Sequence, residues 1–246
     1  MCGRYALSKL PSELVEEFEI HTSESLKNLL ALPPLPADWN ITPTRDIYII
    51  RQHEGERELA ITSWGLIAPW SKNRDEALKS QSQAINARSE TVDQKPTFRS
   101  AFRSRRCLIP ADGYYEWATE NGDFPFKQPF YISRADKRTL AFAGIWESWV
   151  DPQGEIRESA ALVTRPAVDE LAKIHSRMPT FLPQDRWNRW LDTSLRDAEE
   201  IRALMNLDSP AAGLKAIPVS KAVNSIRNNG PELVKEVDLD DHLTLF

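Results

Sequence analysis

The chain has 246 residues, 41% hydrophobic and 27% charged, close to the globular average, so wholesale disorder is excluded and one large or two small domains fit. No stretch approaches the ~20 apolar residues of a membrane span and no apolar secretory segment stands near Arg4 and Lys9. Two cysteines, Cys2 and Cys107, are too few for a disulfide framework, and the net charge of −5 speaks against a protein that coats nucleic acid by bulk electrostatics.

Taken in chain order, apolar spacing predicts helices over 12–20 and 23–32, with Ser12 and Ser23 as their N-caps. ALPPLPADWN (31–40) reads as a short irregular connection, too brief to separate two domains. Runs of β-branched and aromatic residues predict strands at 46–51, 59–67, 129–134, 139–150 and 159–165. Helical patterns follow at 166–178, 184–191 and 194–207, and a late strand at 214–220. Strands crowd the middle, helices flank them, and neither βαβ alternation nor a GxGxxG turn occurs. The expected fold is α+β, a single domain with a curved, mainly antiparallel, barrel-like sheet flanked by helices. The expected domain covers 1–230, and 231–246, with the acidic KEVDLDDHLTLF, is a C-terminal tail.

Positive charge is concentrated in RSETVDQKPTFRSAFRSRR (88–106), which holds six basic residues against two acidic ones, a local net of +4. Such a run is either a solvated face or a phosphate-binding groove. The four histidines are scattered and no CxxC or HExxH spacing occurs, so neither a metal site nor a cofactor is expected.

The opening MCGRYAL poses a chemical question. With Met1 in place, Cys2 is an ordinary thiol; with Met1 removed, one residue carries an α-amine and a thiol on adjacent carbons, both nucleophilic near neutral pH. An aldehyde suits that pair: the amine forms a Schiff base and the tethered thiol closes a five-membered thiazolidine ring. Polar side chains in turn-like or aromatic context recur in WNITPT (39–44), SWGLIAPW (63–70), INARSET (85–91), IPADGYYEW (109–117) and IHSRMP (174–179). One at a time they have ordinary readings: Asn86 and Arg88 pairing within a loop, Glu116 a strand-end carboxylate, His175 a satisfied histidine at a helix end. Together with a cationic groove they suit an abasic site, whose ring-opened sugar is an aldehyde flanked by phosphates, and a splayed single strand exposes it without unpairing.

These stretches, with RRCLIPADGYYEW and the late PVSKAVNSIRNNG (218–230), closely resemble the SRAP family, the SOS-response-associated peptidases, also described as abasic-site processing proteins. The resemblance covers nearly the whole chain. It implies a single α+β domain that traps abasic sites in single-stranded DNA through Cys2 after loss of Met1. By position it implies that Asn86 places the N-terminus and the sugar, that Glu116 is the acid/base carboxylate, and that His175 assists ring opening. Arg4, Arg88, Trp70 and Trp117 fall at or near positions that line DNA, and Arg99 and Arg103 of the basic run join them as candidate DNA contacts. The implied partner is single-stranded DNA containing abasic sites, with no membrane, a monomer as the default state, and a cytoplasmic location, at the nucleoid on damage, or a nuclear one in a eukaryote.

Two other readings compete. An N-terminal-nucleophile amidohydrolase would use the Cys2 thiolate on a small-molecule amide, with the Cys2 amine as base, and would not depend on DNA; self-removal of Met1, with Glu116 and His175 as helpers, belongs instead to the family reading. A non-catalytic single-strand-binding module would be indifferent to Cys2→Ala.

Overall fold

In the computed structural model, residues 2–21, 33–119 and 124–239 are described. The helix expected over 23–32, with Ser23 as its cap, lies outside them, as does the end of the tail. Helix α1 (Pro11–Glu17) separates β1 (Tyr5–Leu7) from β2 (Asp38–Ile41), and a long hairpin of β3 (Asp46–His53) and β4 (Glu56–Trp64) follows. Next come α2 (Arg74–Gln83), β5 (Asn86–Arg88), α3 (Pro96–Ser104), β6 (Arg106–Ala111), β7 (Gly113–Trp117) and β8 (Pro129–Arg134). The chain ends with β9 (Leu140–Val150), β10 (Ile156–Pro166), α4 (Asp169–Ile174), β11 (Arg177–Pro179), α5 (Gln184–Leu191), α6 (Ala198–Ala203), β12 (Leu214–Pro218) and two 3-10 turns, Lys221–Asn224 and Pro231–Val234.

The β3–β4 hairpin turns at Glu54 and Gly55, with φ of 50° and 87°. Two consecutive positive-φ residues make a type I′ turn, whose twist matches that of the strands it joins. The register then runs without slip from His53 opposite Glu56 to Asp46 opposite Ser63. β6 joins β3 on one side and β9 on the other, β10 pairs antiparallel with β9, and β10 meets β4 in parallel at Ser159 and Ser63. The ring β4-β3-β6-β9-β10 therefore closes, leaving no free edge among those five strands. A second sheet, in the order β12-β8-β7-β1-β2, lies against it. Among the described residues all pairings are antiparallel except β10 with β4 and with β5. The α+β domain with a barrel-like, mainly antiparallel sheet is what the strand-rich middle of the sequence implied.

The core fills the barrel and the space between the sheets. Tyr5 stands edge-on to Trp64 at 5.3 Å and to Phe142 at 6.0 Å, and the Trp64 indole N–H is satisfied by the carbonyl of Ile85 at 3.0 Å. β7 and β8 come together because residue 113 has no side chain: a Cβ there would meet the Tyr131 ring at 2.4 Å and the Ile132 carbonyl at 2.6 Å. That close pairing holds β7, which carries Glu116, against β8. Beyond 230, where the tail was expected to begin, Leu233 is buried beside Tyr115 and Tyr131, and Val219 bridges Glu236.

Several local expectations are corrected. α1 starts at Pro11, whose fixed φ suits the first helical position, and Leu10 rather than Ser12 occupies the N-cap. The stretch 166–178 is a six-residue helix, α4, followed by strand β11, because Arg177, Met178 and Pro179 pair with β10. The helix expected over 194–207 shrinks to Ala198–Ala203, capped by Asp197. Finally, the basic run 88–106 is not one cationic surface. Arg106 lies in the core and donates to the carbonyls of Phe102, Trp190, Asp192 and Leu195 at 2.5–3.0 Å, and Arg105 pairs with Glu147 at 2.6 Å. Burial lowers the Arg106 guanidinium to about 10, which still leaves it charged at neutral pH. Arg106→Ala would leave those carbonyls bare in the interior and should cost about 3 kcal/mol, read as a fall of roughly 10 °C in a thermal melt.

Candidate active site

Four of the residues singled out in the sequence are delivered by four separate elements. Cys2 precedes β1, Asn86 opens β5, Glu116 lies in β7, and His175 ends α4. Tyr5 pairs with Tyr114 and the Tyr115 N–H donates to the Arg4 carbonyl at 2.9 Å; carried two residues on, this register sets Gly3 opposite Glu116. Along β7 the side chains alternate, so Tyr114 and Glu116 face the main core while Tyr115 faces the smaller cluster behind the sheet. From the other side, β5 runs parallel to β10 with Asn86 level with Leu162, and the Asn86 amide donates to the Cys2 carbonyl at 2.7 Å. The backbone around Cys2 is thus held from β7 and from β5.

His175 reaches the cluster because α4 stops where β7 ends: the Thr119 N–H donates to the Ile174 carbonyl at 3.1 Å. Its Nδ1 lies 3.9 Å from the Glu116 carboxylate and accepts the Arg177 N–H at 3.0 Å, so the neutral ring carries its proton on Nε2. Arg177 is fixed in turn by Glu90 and by the Thr164 carbonyl at 2.7 Å. That ion pair holds the Glu90 carboxyl down to about 2.

Burial governs the titration of this cluster. The Cys2 thiol is fully enclosed, and burial, with the Glu116 charge added, pushes it far above its ordinary range. Burial also lifts the Glu116 carboxyl to about 7, against the pull of the N-terminal amine. His175 is held below its ordinary value by burial, and further by the positive charge of that amine. The arrangement can therefore offer a carboxyl that exchanges its proton at neutral pH, beside a neutral imidazole and a protonated thiol.

A second group of side chains borders this cluster on the Arg4 side. Arg4 donates to Asn40 Oδ1 at 2.6 Å and to the Val223 carbonyl at 2.7 Å, with its guanidinium 5.7 Å from the centre of the Trp117 ring. The Trp117 indole donates to Asn224 at 2.7 Å. Asn40, buried in β2, also donates to the carbonyls of Ser225 and Asn228, at 3.0 and 2.8 Å, and so ties the late SKAVNSIRNNG segment to Arg4. Sequence reasoning flagged WNITPT as a stretch without identifying Asn40, and it passed over Arg177 and Glu90 inside IHSRMP and INARSET. Their task is bracing, which only the folded contacts reveal.

The other candidates are exposed. Arg88 is exposed at the end of β5. Trp70 is 56% exposed in the turn before α2. Arg99 and Arg103 are exposed on α3 and line a separate concavity. Among the described residues no group of three or more His, Cys, Asp or Glu side chains is placed to hold a metal ion, and no helix is long and apolar enough to cross a membrane.

A family model described as SOS response associated peptidase (SRAP) matches residues 1–226. The abasic site processing protein YoqW of Bacillus subtilis is 33% identical over 235 residues, covering 96% of this chain and 99% of that one. The abasic site processing protein HMCES of Rattus norvegicus is 33% identical over 202 residues, covering 72% of this chain and 56% of the longer relative. A crystal structure of a protein from Bacteroides thetaiotaomicron superposes with a TM-score of 0.81 at 25% identity, covering 96% of this chain and 100% of that one.

Proposed function

The chain belongs to the SOS response associated peptidase family, and from that premise we propose that it processes abasic sites in single-stranded DNA by covalent capture on Cys2. The observation that carries the reading is the buried cluster at the N-terminus, with the Asn86 amide on the Cys2 carbonyl at 2.7 Å and the Glu116–His175 pair beside the thiol. Loss of Met1, by another enzyme or by the chain itself, frees the Cys2 amine. The amine nitrogen attacks C1′ of the ring-opened sugar, and the carbinolamine loses its hydroxyl as water to give the imine. Sγ then adds to C1′, its proton passing to a base and the imine nitrogen taking one up. One aldehyde and one aminothiol thus become one thiazolidine and one water.

Each side chain has a task suited to its surroundings. Glu116, poised at about 7, takes a proton from the ammonium and returns it to the departing hydroxyl. His175, neutral with its proton on Nε2, hydrogen-bonds the sugar oxygen as the ring opens. Asn86 keeps the Cys2 backbone from turning away, so that the amine and the tethered thiol stay presented to the sugar. Arg4 and Arg88 hold flanking phosphates, and Trp117 and Trp70 offer faces on which neighbouring bases stack.

Intact-mass spectrometry tests the reading. Protein incubated with a single-stranded oligonucleotide carrying one abasic site should lack Met1 and gain the mass of one strand less one water, without added reductant. Met1-free protein that gains nothing would overturn the proposal and favour the amide-hydrolase alternative.

A further inference from the structure

Folding uses only part of the charge of the basic run. Arg105 and Arg106 are committed to Glu147 and to buried carbonyls, whereas Lys95, Arg99 and Arg103 face solvent at i, i+4 and i+8 from the N-cap of α3. That spacing sets them on one helix face, about 6 Å apart along the axis. Arg99 and Arg103 share a concavity of about 470 Å³ with Arg196, which comes from the loop before α6. Among the described residues none of these three guanidinium groups has an ion pair or a hydrogen bond. The one carboxylate in the concavity, Asp93, is taken by Arg202, and the neighbouring Arg189 pairs with Asp192 and Glu200, both at 3.0 Å. Three unpartnered guanidinium groups converge on one hollow in a chain whose net charge is −5.

We infer that Arg99, Arg103 and Arg196 form a second phosphate-binding site, which takes the sugar–phosphate backbone of the strand beyond its contacts with Arg4 and Arg88. The inference rests on the single-stranded DNA reading above. Two consecutive turns connect the regions: the Thr91 N–H donates to the Arg88 carbonyl and the Lys95 N–H to the Thr91 carbonyl, both at 3.0 Å. Guanidinium forks match phosphate oxygens in pairs. No aromatic or large aliphatic side chain lines the hollow, so it lacks the anchor pocket of a protein interface and has no platform for a base. A site of this kind holds backbone without reading sequence.

The test is a fluorescence-anisotropy titration of the full chain with undamaged single-stranded DNA of about 20 nucleotides, from about 50 to 200 mM salt. The variant R99A/R103A/R196A should bind roughly tenfold more weakly at the lower salt. Its log–log salt slope should be shallower by about 2, because each phosphate contact on a single strand contributes about 0.7. Arg74→Ala, at an exposed arginine on α2, should change neither quantity. An unchanged slope in the triple variant overturns the inference, as does an equal loss in Arg74→Ala, which would implicate net charge alone. Loss of binding to a polyglutamate peptide with DNA binding intact overturns it in favour of an acidic protein partner. Binding of inorganic phosphate that the triple variant loses, with its DNA binding unchanged, overturns it in favour of a free-anion site. Since undamaged DNA is the probe, failure to form an abasic adduct would count against the proposed function and leave this result standing.

Discussion

Cys2→Ala should abolish the heat-stable adduct with abasic single-stranded DNA, lowering its yield by at least roughly 10²-fold. Alanine is no larger than cysteine, so Met1 remains removable and a free α-amine is still presented. The imine at C1′ should therefore still form and be trapped by borohydride. Without a thiol to add to it, the imine can lose its C2′ proton and expel the 3′-phosphate, cutting the strand. The expected change is from a stable crosslink to a nicked strand and a reducible adduct. The enclosed position of Cys2, whose thiol stays protonated at neutral pH, makes this a demanding test. A thiol held that way does not attack unaided, so its contribution depends on the tether and on a neighbouring base. A heat-stable adduct undiminished in Cys2→Ala would end the thiazolidine assignment. Full retention of DNA function with no covalent product in either protein would favour a binding module.

How legible this site was in the sequence depended on what each residue does there. Cys2, Asn86, Glu116 and His175 stand out because their chemistry can be read from residue type, and their motifs carry a family resemblance. Their convergence depends on pairings distant in sequence, such as β1 with β7 and β5 with β10, which no local pattern announces. The barrel was legible as a class from the strand-rich middle, whereas its closure rests on a short parallel contact between β10 and β4. β1, β5 and β11 are three residues each, too short for alternation to register. α4 gave way to β11 because pairing with β10 outweighed the helical spacing of 166–178. The basic run misled in part, because formal charge does not tell Arg106, surrounded by carbonyls, from Arg103, open to solvent.

Glu116→Gln should slow adduct formation by about 10²-fold at neutral pH, and the shape of the pH profile separates its role from simple packing. Burial raises this carboxyl to about 7, so it is mostly protonated below that pH and mostly ionised above it. As a carboxylate it can accept a proton from the Cys2 ammonium or thiol; as an acid it can protonate the departing hydroxyl of the carbinolamine. Both forms are needed in turn, so the wild-type rate should peak near pH 7 and fall on either side. Glutamine keeps the size and a polar head but cannot titrate. The variant should lose the inflection near 7 and keep only the rise set by the amine, whose ordinary value is about 8. The His175 Nδ1 lone pair, 3.9 Å away, is already taken by the Arg177 N–H, so the ring is poorly placed to replace the missing proton carrier. Affinity for DNA, measured separately, should hold, since Glu116 bears no positive charge to offer a phosphate. A fall in affinity as large as the fall in rate would make Glu116 a binding residue. A variant within about threefold of the wild-type rate, with the same inflection, would remove it from the chemistry, since general acid–base catalysis is worth about 10² or more.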